Sequence, residues 1–298
     1  MSKFQLFTDS SCDLSTEMRR EHHIEYFRMG IYVRGELYPA DLDWEAYSPT
    51  QLYEWISDLK NNCKTTLVSA EEFIEKMTPF LEQGIDILYL GCSSALTGTM
   101  NIFHIVAEEL KEKYPERRIV GVDSLTASMN LGLLAVLVSK EIEKGLSLDE
   151  TIEWIENHKF KVNQIAGVET LTYLKAAGRV KASTAFIGNI IGIKPMFISD
   201  RHGNNLVVQK VRGYQKMVEA VFDAVKEKIH KDECDLVYVC HGNAPEVANK
   251  LKARLESELG VKVVVNWAGP IIGITCGPGL IGAMCYGEEV TRFDGDGK

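Results

Sequence analysis

Nothing in the 298 residues approaches the ~18 consecutive apolar positions that suggest a membrane span. The start Met-Ser-Lys-Phe-Gln runs into a strand pattern rather than a signal peptide, so a cytoplasmic protein is expected. The seven cysteines (Cys12, Cys63, Cys92, Cys234, Cys240, Cys276, Cys285) are odd in number and never form C-x-x-C. Neither a disulfide framework nor a zinc site is indicated, and reduced thiols packed as small apolar groups are expected. The seven histidines offer only the adjacent pair His22-His23, without H-E-x-x-H spacing, so no metal or cofactor is implied. Positive charge is short as well: 33 Lys and Arg against 42 Asp and Glu leave a net charge of −9, which makes nucleic acid a poor first partner.

Complete catalytic signatures are also missing. A phosphate loop needs G-x-x-x-x-G-K-[ST], yet Gly91 and Gly98 are too far apart and Thr99 follows where lysine belongs. A nucleophile elbow needs G-x-S-x-G, and Gly91-Cys92-Ser93-Ser94-Ala95 lacks the final glycine. Thr8 to Leu14 holds none of the glycines of a dinucleotide fold.

What is present is an ordinary globular composition, 45% apolar and 25% charged, in a chain longer than a single core usually serves. Two domains are the expectation. The first half alternates strand and helix patterns: strands over 4–8, 85–91 and 118–122, and helices over 16–22, 100–114, 131–144 and 149–158. Such βα units predict a parallel sheet covered on both faces. In the second half, two β-branched runs over 195–199 and 206–211 flank Asp-Arg-His-Gly-Asn-Asn, a hairpin signal. Helices over 214–229 and 245–259 and strands over 236–240 and 261–266 follow. The fold class is therefore α/β, with a parallel sheet flanked by helices plus a second α/β unit with a mixed or antiparallel sheet. We place the units at residues 1–160 and 161–292, with a tail at 293–298.

Three strand ends in the first half carry hydroxyl clusters: Thr8 to Ser11, Ser93 to Thr99 and Ser124 to Ser128, with Lys64-Thr65-Thr66 as a fourth polar segment. Ligand crevices of parallel sheets lie at the strands' carboxyl ends, and a helix N-terminus there suits a carboxylate or phosphate. Helix capping and turn filling are the plainer use of the same residues. Gly269 to Gly282 combines glycine and proline inside an apolar run, which suggests either bent backbone closely approaching a ligand or another strand, or a bulged core strand. The run Phe186 to Met196 is similarly apolar and suits either a tunnel wall or ordinary core.

Together these segments resemble the DegV family. The matching stretches are Asp9-Ser10-Ser11-Cys12-Asp13-Leu14, Thr65-Thr66-Leu67-Val68-Ser69, Ser93 to Thr99, Ala177-Gly178-Arg179 and Gly269 to Gly279, in order along nearly the whole chain. The resemblance implies a DegV-like two-domain fold that holds one long-chain fatty acid in an inter-domain tunnel. It further implies a non-enzymatic binding subunit of a bacterial fatty acid kinase, presenting the acid to an ATP-using partner and touching the membrane surface transiently to exchange lipid. By the same resemblance Thr65, Thr66, Ser93 and Ser94 would bind the carboxylate, with Thr275 where the family has histidine. Phe186, Ile187, Ile190, Ile191, Met196, Ile271 and Ile272 would line the tunnel, and Arg179 and Arg212 would meet the kinase. Leu67, Val68 and Ala177 also depart from the family motifs. The rival reading is an enzyme, phosphatase-like or esterase-like, acting on a small anion at Ser93 to Thr99.

Overall fold

The computed structural model describes residues 4–181 and 192–292. In chain order its strands begin with β1 (Phe4–Asp9), β2 (Ile24–Phe27), β3 (Gly30–Val33), β4 (Glu36–Pro39) and β5 (Lys64–Thr65). They continue with β6 (Asp86–Gly91), β7 (Ile119–Asp123), β8 (Val162–Gly167), β9 (Ile193–Ser199) and β10 (Asn205–Arg212), and end with β11 (Leu236–His241), β12 (Lys262–Trp267) and β13 (Ile281–Tyr286). The helices are α1 (Thr16–Glu21), α2 (Pro49–Ser57), α3 (Ala70–Glu82), α4 (Thr99–Lys113) and α5 (Ser128–Glu143). After these come α6 (Leu148–His158), α7 (Thr172–Ala177), α8 (Tyr214–Lys228), α9 (Pro245–Leu259) and α10 (Pro270–Cys276).

The first half forms a four-stranded sheet in the order β2-β1-β6-β7, parallel throughout, as the βα alternation predicts. The second half forms a six-stranded mixed sheet, β10-β9-β8-β13-β11-β12. Its β9–β10 hairpin turns on Asp200, whose Oδ1 accepts from the N–H groups of His202 and Asn204. A small antiparallel sheet, β4-β3-β5, leads to the polar Lys64-Thr65-Thr66 segment.

Strand alternation sorts the side chains into layers. On β6, Leu88 and Leu90 face α5, while Ile87 and Tyr89 join Phe73 and Phe103 under α3 and α4. On β11, Tyr238 and Cys240 face α5, while Val237 and Val239 meet α8 and α9. Helix α5 therefore lies between the two large sheets. Its sequence agrees: Leu131, Leu133, Leu134, Ala135, Val136 and Val138 make a helix apolar all round, as a helix buried on every side must be.

The stretch Gly269 to Gly282 is not a bulged core strand along its length but a short helix and a turn that lead into a strand. Pro270 occupies the first turn of α10, where its missing N–H costs nothing, Gly277 ends that helix at a φ of +79°, and β13 starts at Ile281. Gly273 lets α10 approach α2, since a Cβ there would stand 2.9 Å from the Tyr53 hydroxyl.

Candidate functional site

The carboxyl ends of β1 and β6 bring two of the hydroxyl clusters together around Asp9, and the third, after β7, joins them where the Ser93 N–H donates to the Thr126 carbonyl (2.8 Å). Asp9 Oδ2 accepts from the Tyr89 hydroxyl (2.7 Å) and the Cys92 N–H (2.9 Å), and its Oδ1 accepts from the N–H and hydroxyl of Ser11 (2.9 and 2.5 Å). Four donors on one buried carboxylate fix the loop after β6 against the turn after β1. A second buried carboxylate, Asp13, holds a left-handed conformation at φ +55° and reaches across to the other sheet. It accepts from Gly269 N–H (2.8 Å) and the Ser128 hydroxyl (2.7 Å), while its backbone carbonyl accepts from Asn266 Nδ2 (2.8 Å). Burial pushes the Asp13 carboxyl up to about 7, against the pull of those two donors.

Between these ties lies a cavity of about 270 Å³, just below the ~300–1,000 Å³ common for ligand sites. Ala166, Phe197 and Met284 line it from the inner face of the six-stranded sheet, and Ile271 and Ile272 line it from α10. Thr65, Thr66 and Leu67 close one part of the wall, and Leu96 and Thr97 another. A second cavity of about 370 Å³ adjoins it, sharing Thr65, Arg179 and Thr275 and adding Asp58, Asn62 and Lys64. Those three shared residues mark the mouth, where an apolar interior meets a charged outer cleft.

The hydroxyls differ in what they have left to offer. Thr66 Oγ1 accepts from Gly30 N–H and donates to the Leu67 carbonyl, and Thr275 Oγ1 donates to the Ile271 carbonyl within α10. Thr97 Oγ1 lies 2.9 Å from Thr99 Oγ1 at the start of α4. Arg179 Nε donates to the Leu96 carbonyl (2.8 Å), and among the described residues its guanidinium pairs with no carboxylate. Burial pushes the Cys240 thiol up to about 12 and raises Cys92 and Cys276 also, which disfavours the thiolate form of the cavity's cysteines.

Of the residues singled out from sequence, Thr65, Thr66, Thr275, Ile271, Ile272 and Arg179 share this cavity. Ser93 is buried and committed elsewhere: its hydroxyl donates to the Gly203 carbonyl (2.8 Å) in the β9–β10 turn. Ser94 is exposed, with its N–H on the Asp123 carboxylate. Met196 sits on the outer face of β9 in the core under α8, and its neighbour Phe197 takes the cavity side. Arg212 is exposed at the end of β10, away from both cavities. Phe186, Ile187, Ile190 and Ile191 lie outside the described residues. Thr97, Ser128, Gln164 and Asn205 were not singled out as site residues, yet all four line the cavity. Only Thr97 and Ser128 carried a signal, as members of hydroxyl clusters at strand ends.

Among the described residues no helix is long and apolar enough to cross a membrane. Residues 3–288 match the family model for DegV proteins. A DegV domain-containing protein of Clostridium perfringens is 31% identical over 291 residues, covering 97% of this chain and 99% of the relative. Among solved structures, a fatty-acid-binding DegV family protein from Thermus thermophilus superposes with a TM-score of 0.82 at 25% identity, covering 96% of this chain and 99% of that one. A stearic-acid-binding protein from Eubacterium ventriosum shares the fold at a TM-score of 0.85 and 24% identity, over 95% of this chain and 98% of its own.

Proposed function

Because the chain belongs to the DegV family, we propose that it carries one long-chain fatty acid in the cavity between its two large sheets and offers the carboxylate to a fatty acid kinase. The observation that carries this reading is the position of Thr65, Arg179 and Thr275, shared between an apolar interior and an open cleft. The hydrocarbon chain lies against Ile271, Ile272, Phe197 and Met284. A chain of ~14 methylenes at ~0.8 kcal/mol each supplies roughly 11 kcal/mol of gross driving force, whereas each hydrogen bond to the carboxylate adds about 1.5 to 3 kcal/mol. The interior sets affinity and the mouth sets register.

The carboxylate takes donors from Thr65, Thr97 and Arg179. Thr275 stands where the family has histidine and contributes a hydroxyl only when it releases the Ile271 carbonyl. Catalysis belongs to the partner, which docks at Arg179 and Arg212 and phosphorylates the exposed head group. Residues 1–160 and 161–292 act as the two units closing on the chain, in the cytoplasm of a bacterium, with brief membrane contact for lipid exchange.

The test is direct. Protein purified from a bacterial host is denatured, extracted and analysed by mass spectrometry, with about one fatty acid per chain expected; repeated recovery without stoichiometric lipid removes the reading. With lipid bound, mixing with a fatty acid kinase catalytic subunit and ATP is expected to yield acyl phosphate. Lipid without acyl phosphate leaves the carrier and removes the kinase.

A further inference from the structure

We infer that the inner wall of the cavity recognises a hydroxyl group on the ligand chain, so that the preferred ligand class is a hydroxylated long-chain fatty acid. This rests on the fatty-acid reading above and refines it. A wall built only for hydrocarbon needs no amides, yet Gln164 and Asn205, 5% and 7% exposed, both line the cavity, and neither belongs to the outer cleft.

Their own pairing is loose and leaves one amide oxygen open to the cavity. Gln164 Nε2 reaches Asn205 Oδ1 at 3.4 Å, at the limit of a hydrogen bond, and among the described residues Gln164 Oε1 accepts from no donor. Asn205 Nδ2 donates to the Arg179 carbonyl at 3.0 Å, which fixes the Asn205 amide and leaves the Gln164 oxygen as the open acceptor. An unsubstituted chain passing this point would bury that acceptor unpaired, a cost that a chain hydroxyl removes by donating to it.

One hydroxyl of the same cavity sharpens the chemistry: the proton of Ser11 goes to Asp9, so Ser11 presents lone pairs. Ser128 touches Cys240 Sγ at 3.7 Å. On the sheet's inner face Cys240 is paired through Gly282 to Ala166, two residues along β8 from Gln164. The inner wall is thus rich in acceptors. It rejects a second carboxylate, which belongs at the mouth, and favours a neutral O–H donor. Sites that hydrogen-bond a substrate hydroxyl discriminate against the analogue lacking it far more strongly than apolar sites discriminate by size.

The experiment uses the full chain, freed of lipid and refolded, and measures affinities for stearic acid and for octadecanoic acids carrying one hydroxyl at successive positions. At least one positional isomer is expected to bind about tenfold or more tighter than stearic acid. Gln164→Leu, with Gln164→Met as the closer match in shape, is expected to bring that ratio near one, with circular dichroism confirming the fold. Binding of stearic acid with no isomer preferred, as when a water occupies the acceptor, overturns the inference and leaves the carrier. A preference that survives both substitutions also overturns it. Binding of none of the acids overturns the fatty-acid reading itself.

Discussion

Asp13 shows how much one side chain ties together. Its carboxyl joins the turn after β1 to Ser128 on α5 and to Gly269 ahead of α10, and among the described residues no cation pairs with it. In the native state it keeps its proton up to about 7, against 3.8 ordinarily. Between those values the native chain holds more protons than the unfolded one, so this group makes stability fall as pH rises, by roughly 4 kcal/mol in all. Asp13→Asn can keep both contacts, because the Ser128 hydroxyl turns to accept. Urea midpoints of the variant are expected to lose that decline between about pH 4 and 7; an unchanged slope would assign it to other groups. At the mouth, Thr65→Ala is expected to weaken fatty acid binding about 10- to 100-fold, read by titration calorimetry, if one hydrogen bond to a carboxylate is lost. Thr65 and Thr275 are legible in the sequence because motifs mark them. The choice between Met196 and Phe197 is not, because it depends on the register of β9, where a step of one residue exchanges the faces. The offset between Ser94 and Thr97 is hidden for a similar reason: the turn Leu96 N–H to Ser93 carbonyl decides which hydroxyl swings inward.

At the scale of elements, the long helices and buried strands are readable from periodicity, and their predicted ends fall within a few residues of those observed. The small sheet is not. β5 spans only Lys64–Thr65, too short for an alternating pattern, and exists by pairing with Tyr32 and Ile31 of β3. Strand β8 is equally obscure, because Asn163 and Gln164 interrupt its apolar run although both are buried. Helix α10 reads as an irregular strand until Pro270 is seen to start a helix. Helix α5 offers a sharper test. A Cβ on its Gly132 would stand 2.6 Å from the Cys12 carbonyl oxygen and 2.9 Å from Leu14 Cδ2, closer than backbone tolerates. Gly132→Ala, which favours an isolated helix by ~1 kcal/mol, is expected here to destabilise by about 1–3 kcal/mol. Thermal unfolding measures this, and a rise in Tm would show that α5 has room to shift.

Across the whole molecule, the cavity takes walls from the six-stranded sheet, the loops that follow the parallel strands, α5, α10 and the small sheet, so no single segment of sequence announces it. The two-sheet architecture is legible; the cavity's content, with Gln164 and Asn205 facing inward, becomes visible only when distant strands are brought together. A ligand spanning both sheets binds the folded state alone, so its removal is expected to lower stability. At a free concentration 100 times Kd the loss is about 2.7 kcal/mol, a Tm decrease of several degrees. Calorimetry before and after delipidation reads it, and equal Tm values would place the lipid outside the core. The two sides of the cavity are not held alike. Along one, Ser93 is bonded to Gly203 and Thr126 Oγ1 lies 3.1 Å from Ser199 Oγ, all of them buried. Along the other, Thr65 and Arg179 face open solvent across the outer cleft. On the proposed carrier reading, a long chain is therefore expected to come and go as a letter does through a folder bound at the Ser93 spine, by the edge bearing Thr65 and Thr275, while the bound edge keeps both sheets in alignment.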